Sequence, residues 1–493
     1  MEAGLPFARP MLERARLSRD ARFDGRFYLA VVSTGIYCRP ICPAAPAAQA
    51  DHVRYFLTAA AAHEAGFRPC RRCRPETAPG TPAWLGTSAV VRRALRLIED
   101  GALDGSSVPR FAERLGLGAR QLDRLFARHL GASPLALAQT RRLHFAKHLL
   151  DGSDLRLSEI ALAAGYGSLR RFNASMRAAY GCSPSELRRK RAPQLAPSDE
   201  VRLALAYRPP YDWKRLCEFL QLRAIPGIET LADGRYKRVI RTGGRYALVQ
   251  VQPASGCDAL ELCVRGAPPT ALLQIVGAAR RVFDLTADPG RISSDLSADR
   301  RLQALVRHRP GLRIPGAWDP FECAVRAVLG QQVSVAAAKT LATRLVERFG
   351  EPVNPPVAGL TRLFPTPAAL ADGNFGRLGI TGPRSEALRG LARAVLCGRV
   401  DFAAEPEAVT RQIGDLRGFG AWTAQYVALR ALGEPDALPE GDRVLRREAG
   451  GEQRPLTPRE LQQRADSWRP WRGYATLHLW CAASERASSM RAR

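Results

Sequence analysis

Four cysteines in two close pairs constrain this chain more than any other feature. Cys38 and Cys42 lie in Ser33-Thr-Gly-Ile-Tyr-Cys-Arg-Pro-Ile-Cys42, and Cys70 and Cys73 lie in Gly66-Phe-Arg-Pro-Cys-Arg-Arg-Cys73. Two such pairs, a few tens of residues apart, can bring four thiolates around one tetrahedral Zn²⁺. Residues 1–80 are therefore expected to form a small four-cysteine zinc domain of α+β type. The odd total of 11 cysteines, without a basic and apolar leader, argues against a disulfide framework.

Charge limits the partners. Lys and Arg number 74 against 47 Asp and Glu, a net +27 that favours polyanions, with nucleic acid ahead of an anionic membrane or an acidic protein. The 46% hydrophobic and 25% charged composition excludes global disorder and fibrous classes. No apolar run is long enough to span a bilayer, so a soluble, cytoplasmic chain is expected.

A length of 493 residues predicts about three to five domains. Pro/Gly/Ser-rich passages at 74–82, 191–198 and 287–290 divide it into 1–80, 85–191, 200–287 and 290–493. The second segment has helical spacing throughout and reads as all-α. The third mixes a helix at Trp213–Arg223 with the alternating runs Tyr246–Val251 and Leu260–Val264, and reads as α+β. The fourth returns to helical spacing and reads as all-α.

Two stretches of the second segment have helix-turn-helix form. One places Arg120, Arg124 and Arg128 on its second helix, and the other places Arg170, Arg171, Asn173 and Arg177 there. Second helices of this kind enter major grooves, where Arg and Asn read base edges. In the fourth segment, Gly418-Phe-Gly420 opens a helix, and glycines there let backbone N–H groups approach a phosphate. Trp422 and Tyr426 share one face of that helix, Asp442 follows about twenty residues on, and an aromatic-rich stretch runs from Trp468 to Trp480.

These motifs resemble known families. The cysteine segments resemble the sensor domain of Ada-type alkylation-response proteins, which implies one Zn²⁺ held by Cys38, Cys42, Cys70 and Cys73. It also implies that Cys38 accepts methyl groups from DNA methylphosphotriesters. The paired helix-turn-helices, closing on Tyr180-Gly-Cys-Ser-Pro184, resemble the AraC-type DNA-binding domain. From Tyr207-Arg-Pro-Pro-Tyr-Asp-Trp213 through Trp318-Asp-Pro-Phe-Glu322 and Gly330-Gln-Gln-Val-Ser-Val335 to Trp480, the chain resembles AlkA-type 3-methyladenine DNA glycosylases of the helix-hairpin-helix-GPD superfamily.

The last resemblance implies roles. Trp422, Tyr426, Trp480 and Phe219 would stack an alkylated, cationic base, and Asp442 would stabilise the sugar as that base departs. Gln332 falls where relatives wedge an apolar side chain into the base gap. Trp422 falls where strand-cutting relatives carry a Schiff-base lysine, so a monofunctional glycosylase is expected. No Pro-Cys-His-Arg segment supports O6-alkylguanine transfer. The implied partners are double-stranded DNA, both alkylated and operator, and RNA polymerase at promoters, with the chain a monomer. The competing reading is a transcription factor whose glycosylase region only binds DNA.

Overall fold

The computed structural model describes residues 5–44, 50–79, 89–189, 200–357, 359–451 and 454–491. The 191–198 passage, read as a domain boundary, lies outside the described residues, as do positions 80–82 of the first such passage.

At the front, α1 (Arg9–Leu17) precedes strands β1 (Tyr28–Val31), β2 (Ile36–Cys38) and β3 (Val53–Phe56), then α2 (Ala59–Glu64) and β4 (Arg68–Pro69). The sheet order is β3-β1-β2-β4, with β4 parallel to β2. Tyr37 pairs with Pro69, so the next residues of the two strands, Cys38 and Cys70, emerge side by side. Leu12, Phe27, Leu29 and Tyr55 fill the core beneath them.

The helices that follow are α3 (Ala89–Glu99), α4 (Val108–Arg114), α5 (Ala119–Leu130), α6 (Pro134–Gly152), α7 (Leu157–Ala163), α8 (Leu169–Tyr180) and α9 (Pro184–Arg189). Helices α5 and α8 both stop at a left-handed glycine, Gly131 and Gly181, which supplies the positive φ that such a cap needs. The long α6 joins the two helix-turn-helix units. The four alanines of α2 are buried, and their small size lets α2 approach Ala132 and Ala136 at the start of α6.

The third unit contains β5 (Glu200–Ala206), α10 (Trp213–Arg223), β6 (Glu229–Ala232), β7 (Arg235–Thr242), β8 (Arg245–Pro253), β9 (Ala259–Arg265) and α11 (Leu272–Val282). Its antiparallel sheet has the order β5-β9-β8-β7-β6. The Asp212 side chain accepts from Arg215 N at 3.1 Å, which fixes the start of α10.

One hydrophobic core joins this sheet to the second helix-turn-helix. Leu149, Ile160, Phe172 and Tyr180 are buried in the same cluster as Val201, Leu203, Val249 and Leu262. The approach is close: a Cβ on Gly152 would stand 2.1 Å from the carbonyl oxygen of Arg202.

The last unit runs α12 (Pro289–Leu296), α13 (Arg300–His308), α14 (Pro320–Leu329), α15 (Val335–Phe349), β10 (Pro352–Val357), β11 (Leu360–Arg362), α16 (Pro367–Ala371), α17 (Gly382–Leu396), α18 (Pro406–Gly414), α19 (Ala421–Arg430), α20 (Arg443–Gly450), α21 (Pro458–Ala465) and α22 (Arg472–Arg491). The β10–β11 hairpin corrects the all-α expectation. Its prolines disguise it, because Pro cannot donate to a ladder. It is held instead by Gly227, whose carbonyl accepts from Thr361 N at 2.7 Å and Arg362 N at 3.0 Å, and by packing of Val353, Leu360 and Leu363 on Val239.

The 287–290 passage is a packed turn. Ala287 and Asp288 are buried, Asp288 caps α12, and its other oxygen meets Arg26 of the front unit at 3.0 Å. Among the described residues, no helix is long and apolar enough to cross a membrane.

Candidate functional site

The side-chain sulfurs of Cys38, Cys42, Cys70 and Cys73 all lie within 4.8 Å of one another. Four sulfurs at about 2.3 Å from a tetrahedral Zn²⁺ would stand about 3.8 Å apart, so this all-thiolate set fits one zinc. The four are not equivalent. Cys73 accepts from Arg39 N at 3.3 Å. Cys38, Cys42 and Cys70 line a cavity of about 710 Å³ whose rim includes Arg68, Arg71, Arg72 and His52. A thiolate on a basic cavity is placed to meet an anionic backbone.

The helix-turn-helix unit, the chain's reader, borders that cavity. Ala179 and Tyr180, at the end of α8, form part of its wall, and Arg71 donates to the Tyr180 carbonyl. Tyr37, adjacent to Cys38, meets His144 Nε2 of α6 at 3.1 Å. Burial depresses both His144 and His148 of α6 to about 3, and at His148 the nearby Arg280, Arg74 and Lys147 add to the effect.

The reader's helices are amphipathic. Leu122, Phe126 and Leu130 of α5, and Phe172, Met176 and Tyr180 of α8, are buried. Arg120, Arg124, Arg128, Arg170, Arg171 and Arg177 face solvent, and Asn173 is half-buried. Ser168 caps α8 by accepting from Arg171 N at 3.3 Å.

In the last unit, Leu416 and Phe419 anchor the hairpin by burying their side chains. Gly418 has φ +87° and no room for a Cβ, which would stand 2.8 Å from that of Ala387. Gly420 caps α19, and the space where its Cβ would point is empty to 4 Å, which leaves the backbone open on that side. The α14–α15 turn comes to the same place. Gln331 Nε2 donates to Gly418 O at 2.9 Å and to Thr423 Oγ1 at 3.1 Å, while the adjacent Gln332 is exposed with φ +54°.

Helix α19 carries the aromatic row. Trp422 and Tyr426 stack at 5.2 Å and 19°, and Trp480 of α22 lies 6.4 Å from Tyr426. Two indole N–H groups converge on Asp442, from Trp422 at 3.0 Å and from Trp480 at 3.2 Å. Asp442 also caps α20, accepting from Leu445 N at 2.7 Å. One carboxylate thus serves as helix cap and as the end of the row.

Phe219 of α10 meets this row through guanidinium groups. Its ring has Arg223 at 3.7 Å and Arg430 at 4.5 Å, and Arg430 donates to Tyr426 Oη at 2.7 Å. Sequence reasoning missed Arg430, Arg223 and Gln331. The spacing Trp422, Tyr426, Arg430 was a visible signal, because it places all three on one helix face.

The Trp318–Glu322 motif has a structural task. Asp319 caps α14, and the buried Glu322 bonds Arg238 and Arg326. Beside it, burial alone would raise Glu229, but Arg326 and Arg238 outweigh that and hold it at about 2.

A glycine hairpin leading into a helix whose stacked rings end on an indole-bound carboxylate defines a class of site that could hold a flat base beside an acid. Similarity to known proteins narrows this class. Family models described as the metal binding domain of Ada, a helix-turn-helix domain and the AlkA N-terminal domain match residues 12–76, 111–190 and 202–319. A Mycobacterium tuberculosis protein named probable bifunctional transcriptional activator/DNA repair enzyme AlkA is 41% identical over 473 residues, 95% of each chain. DNA-3-methyladenine glycosylase 2 of Escherichia coli is 34% identical over 281 residues, covering 56% of this chain and 95% of that one. A solved 3-methyladenine DNA-glycosylase from Archaeoglobus fulgidus shares the fold, with TM-score 0.50, 20% identity, and coverage of 57% of this chain and 98% of its own. The chain belongs to the AlkA/Ada-like family of bifunctional transcriptional activators and DNA repair enzymes.

Proposed function

We propose that the chain is a monofunctional DNA-3-methyladenine glycosylase that also senses methylphosphotriesters and regulates transcription. The convergence of the Trp422 and Trp480 indoles on Asp442 carries the enzymatic part of this reading. Binding alone does not require a carboxylate held by two N–H donors.

In this reading the hairpin at Gly418–Gly420 grips a phosphate, Gln332 enters the gap left by a flipped nucleotide, and the base stacks on the Trp422–Tyr426 tier. The C1′–N bond breaks with its electron pair on the base. Asp442, kept oriented by the indoles, stabilises the positive sugar. Water adds to C1′, its proton leaves, and an abasic site remains. With Trp422 at the Schiff-base position, borohydride should trap no covalent enzyme–DNA adduct.

In the sensor, Cys38 Sγ takes the methyl carbon while the phosphotriester leaves as a phosphodiester anion, one methyl per chain. Bound zinc would keep the four sulfurs as thiolates at neutral pH. Loss of one thiolate charge beside the basic cavity strengthens the hold on phosphate, so damage becomes a binding signal. The exposed arginines of α5 and α8, with Asn173, then read an operator.

The relative's name, transcriptional activator, supports RNA polymerase at promoters as the protein partner. The most exposed apolar side chains, Leu17, Leu162, Leu222 and Leu396, fall on four separate helices, which supports a monomer. Release of 3-methyladenine from methylated DNA by wild type and Asp442→Asn tests the enzyme. Equal background release by both would leave the DNA-binding regulator as the reading.

A further inference from the structure

Groups of opposite charge meet helix α19 near its two ends. At one end the Trp422 indole binds the Asp442 carboxylate at 3.0 Å. At the other, two turns on, lies Arg430, 8% exposed. Its guanidinium donates to the Pro315 carbonyl and, at 3.4 Å, to Gly316 O, which fixes its position. A second guanidinium, Arg223, lies on Phe219 at 3.7 Å, and burial with Arg430 nearby lowers its pKa although Tyr426 opposes this. The aromatic groups that would cradle a cationic base thus already face two fixed protein cations: Arg430 stands 5.5 Å from the centre of the Tyr426 ring.

A base stacked on Trp422 and Tyr426 would sit between the carboxylate and these guanidinia. An N-alkylated purine carries a positive charge while bonded to its sugar. When the C1′–N bond breaks, the electron pair moves to the base, which becomes neutral, and the positive charge appears on the sugar. Positive groups at the base end oppose the starting distribution, and a carboxylate at the sugar end favours the final one.

We propose that Arg430 and Arg223 are positioning residues whose field works against the charged base in the bound state and drives its charge onto the sugar. The inference rests on the glycosylase reading above. It adds that part of the catalysis comes from weakened substrate binding, so removing a guanidinium should tighten binding and slow the chemistry together. A packing defect would slow the chemistry with unchanged or weaker binding.

The test uses the full chain and duplex DNA with a single 7-methylguanine. Single-turnover release gives the chemical step, and a hydrolysis-resistant 2′-fluoro version of the same lesion gives affinity. Arg430→Gln is expected to slow release about tenfold and to tighten binding severalfold, an opposed pair of changes. Arg430 also holds two carbonyls, so Arg223→Gln provides a second measurement at a site with a smaller structural task, with the same signs expected. Arg223→Lys, which keeps the charge, should stay near wild type.

Slower release with equal or weaker binding in Arg223→Gln overturns the proposal, as does an Arg223→Lys variant indistinguishable from Arg223→Gln. Wild type that releases no base would instead remove the glycosylase reading itself.

Discussion

Trp422 and Asp442, twenty positions apart, are joined by an indole N–H donating to a carboxylate oxygen at 3.0 Å. The bond ties the tier that would receive a base to the group that would answer the charge on its sugar. Because Asp442 also caps α20 through Leu445 N, its orientation is set by the fold before any DNA arrives.

Asp442→Asn should separate charge from architecture. The amide oxygen can still accept from Leu445 N or an indole, so the melting temperature should stay within a few degrees. Single-turnover base release should fall about 10²- to 10³-fold, the range for loss of a charge-stabilising group. An unchanged rate in a base-release assay would remove Asp442 from the chemistry.

The two hairpin glycines should behave differently. Gly418→Ala forces a side chain into a positive φ and against Ala387, at a cost of about 1–3 kcal/mol in denaturant unfolding. Gly420→Ala has an ordinary φ of −94° and free space, so stability should hold while duplex affinity drops. A stable Gly418→Ala or an unimpaired Gly420→Ala would contradict this division of labour.

Acid should loosen the sensor–reader contact. His144 and His148 are held near 3 in the folded chain, far below the ordinary value of 6.5, so below pH 6.5 the unfolded state binds more protons. Stability is therefore fully present above pH 6.5 and is lost as pH falls toward 3, at up to about 1.4 kcal/mol per pH unit for the buried His148. Melting curves between pH 7.5 and 5 should show the loss, and His148→Gln should flatten it.

Metal analysis should find one zinc per chain. Cys38→Ala should abolish the methyl adduct seen by mass spectrometry after incubation with methylated DNA. Cys73→Ala should weaken zinc retention, since its sulfur is one of the four that cluster within 4.8 Å of one another. An adduct that persists in Cys38→Ala would place the acceptor elsewhere.

Local pattern made much of this legible. The α10 helix has the bounds its spacing predicts, Trp213–Arg223, and the runs at Tyr246–Val251 and Leu260–Val264 lie within β8 and β9. The cysteine pairs predict their cluster because ligand chemistry leaves few alternatives. What escaped was closure between distant residues. Nothing near Gln331 signals a bond to Gly418, and Pro352–Val357 hides a strand behind its prolines, while it is the partner strand's Thr361 and Arg362 that donate to Gly227. Phe219 is legible as an aromatic, but the two arginines on its ring come from positions 4 and 211 residues away in sequence.

The core shared by the second helix-turn-helix and the β5–β9 sheet bears on how such a gene can be dissected. Scissors applied between residues 189 and 200 would not free two finished proteins. Each half would be left with a raw apolar flank, Leu149 and Ile160 on one and Val201 and Leu203 on the other. A truncation meant to isolate regulation from repair would therefore inherit a sticky surface, and co-expression of both halves should rescue what either lacks alone.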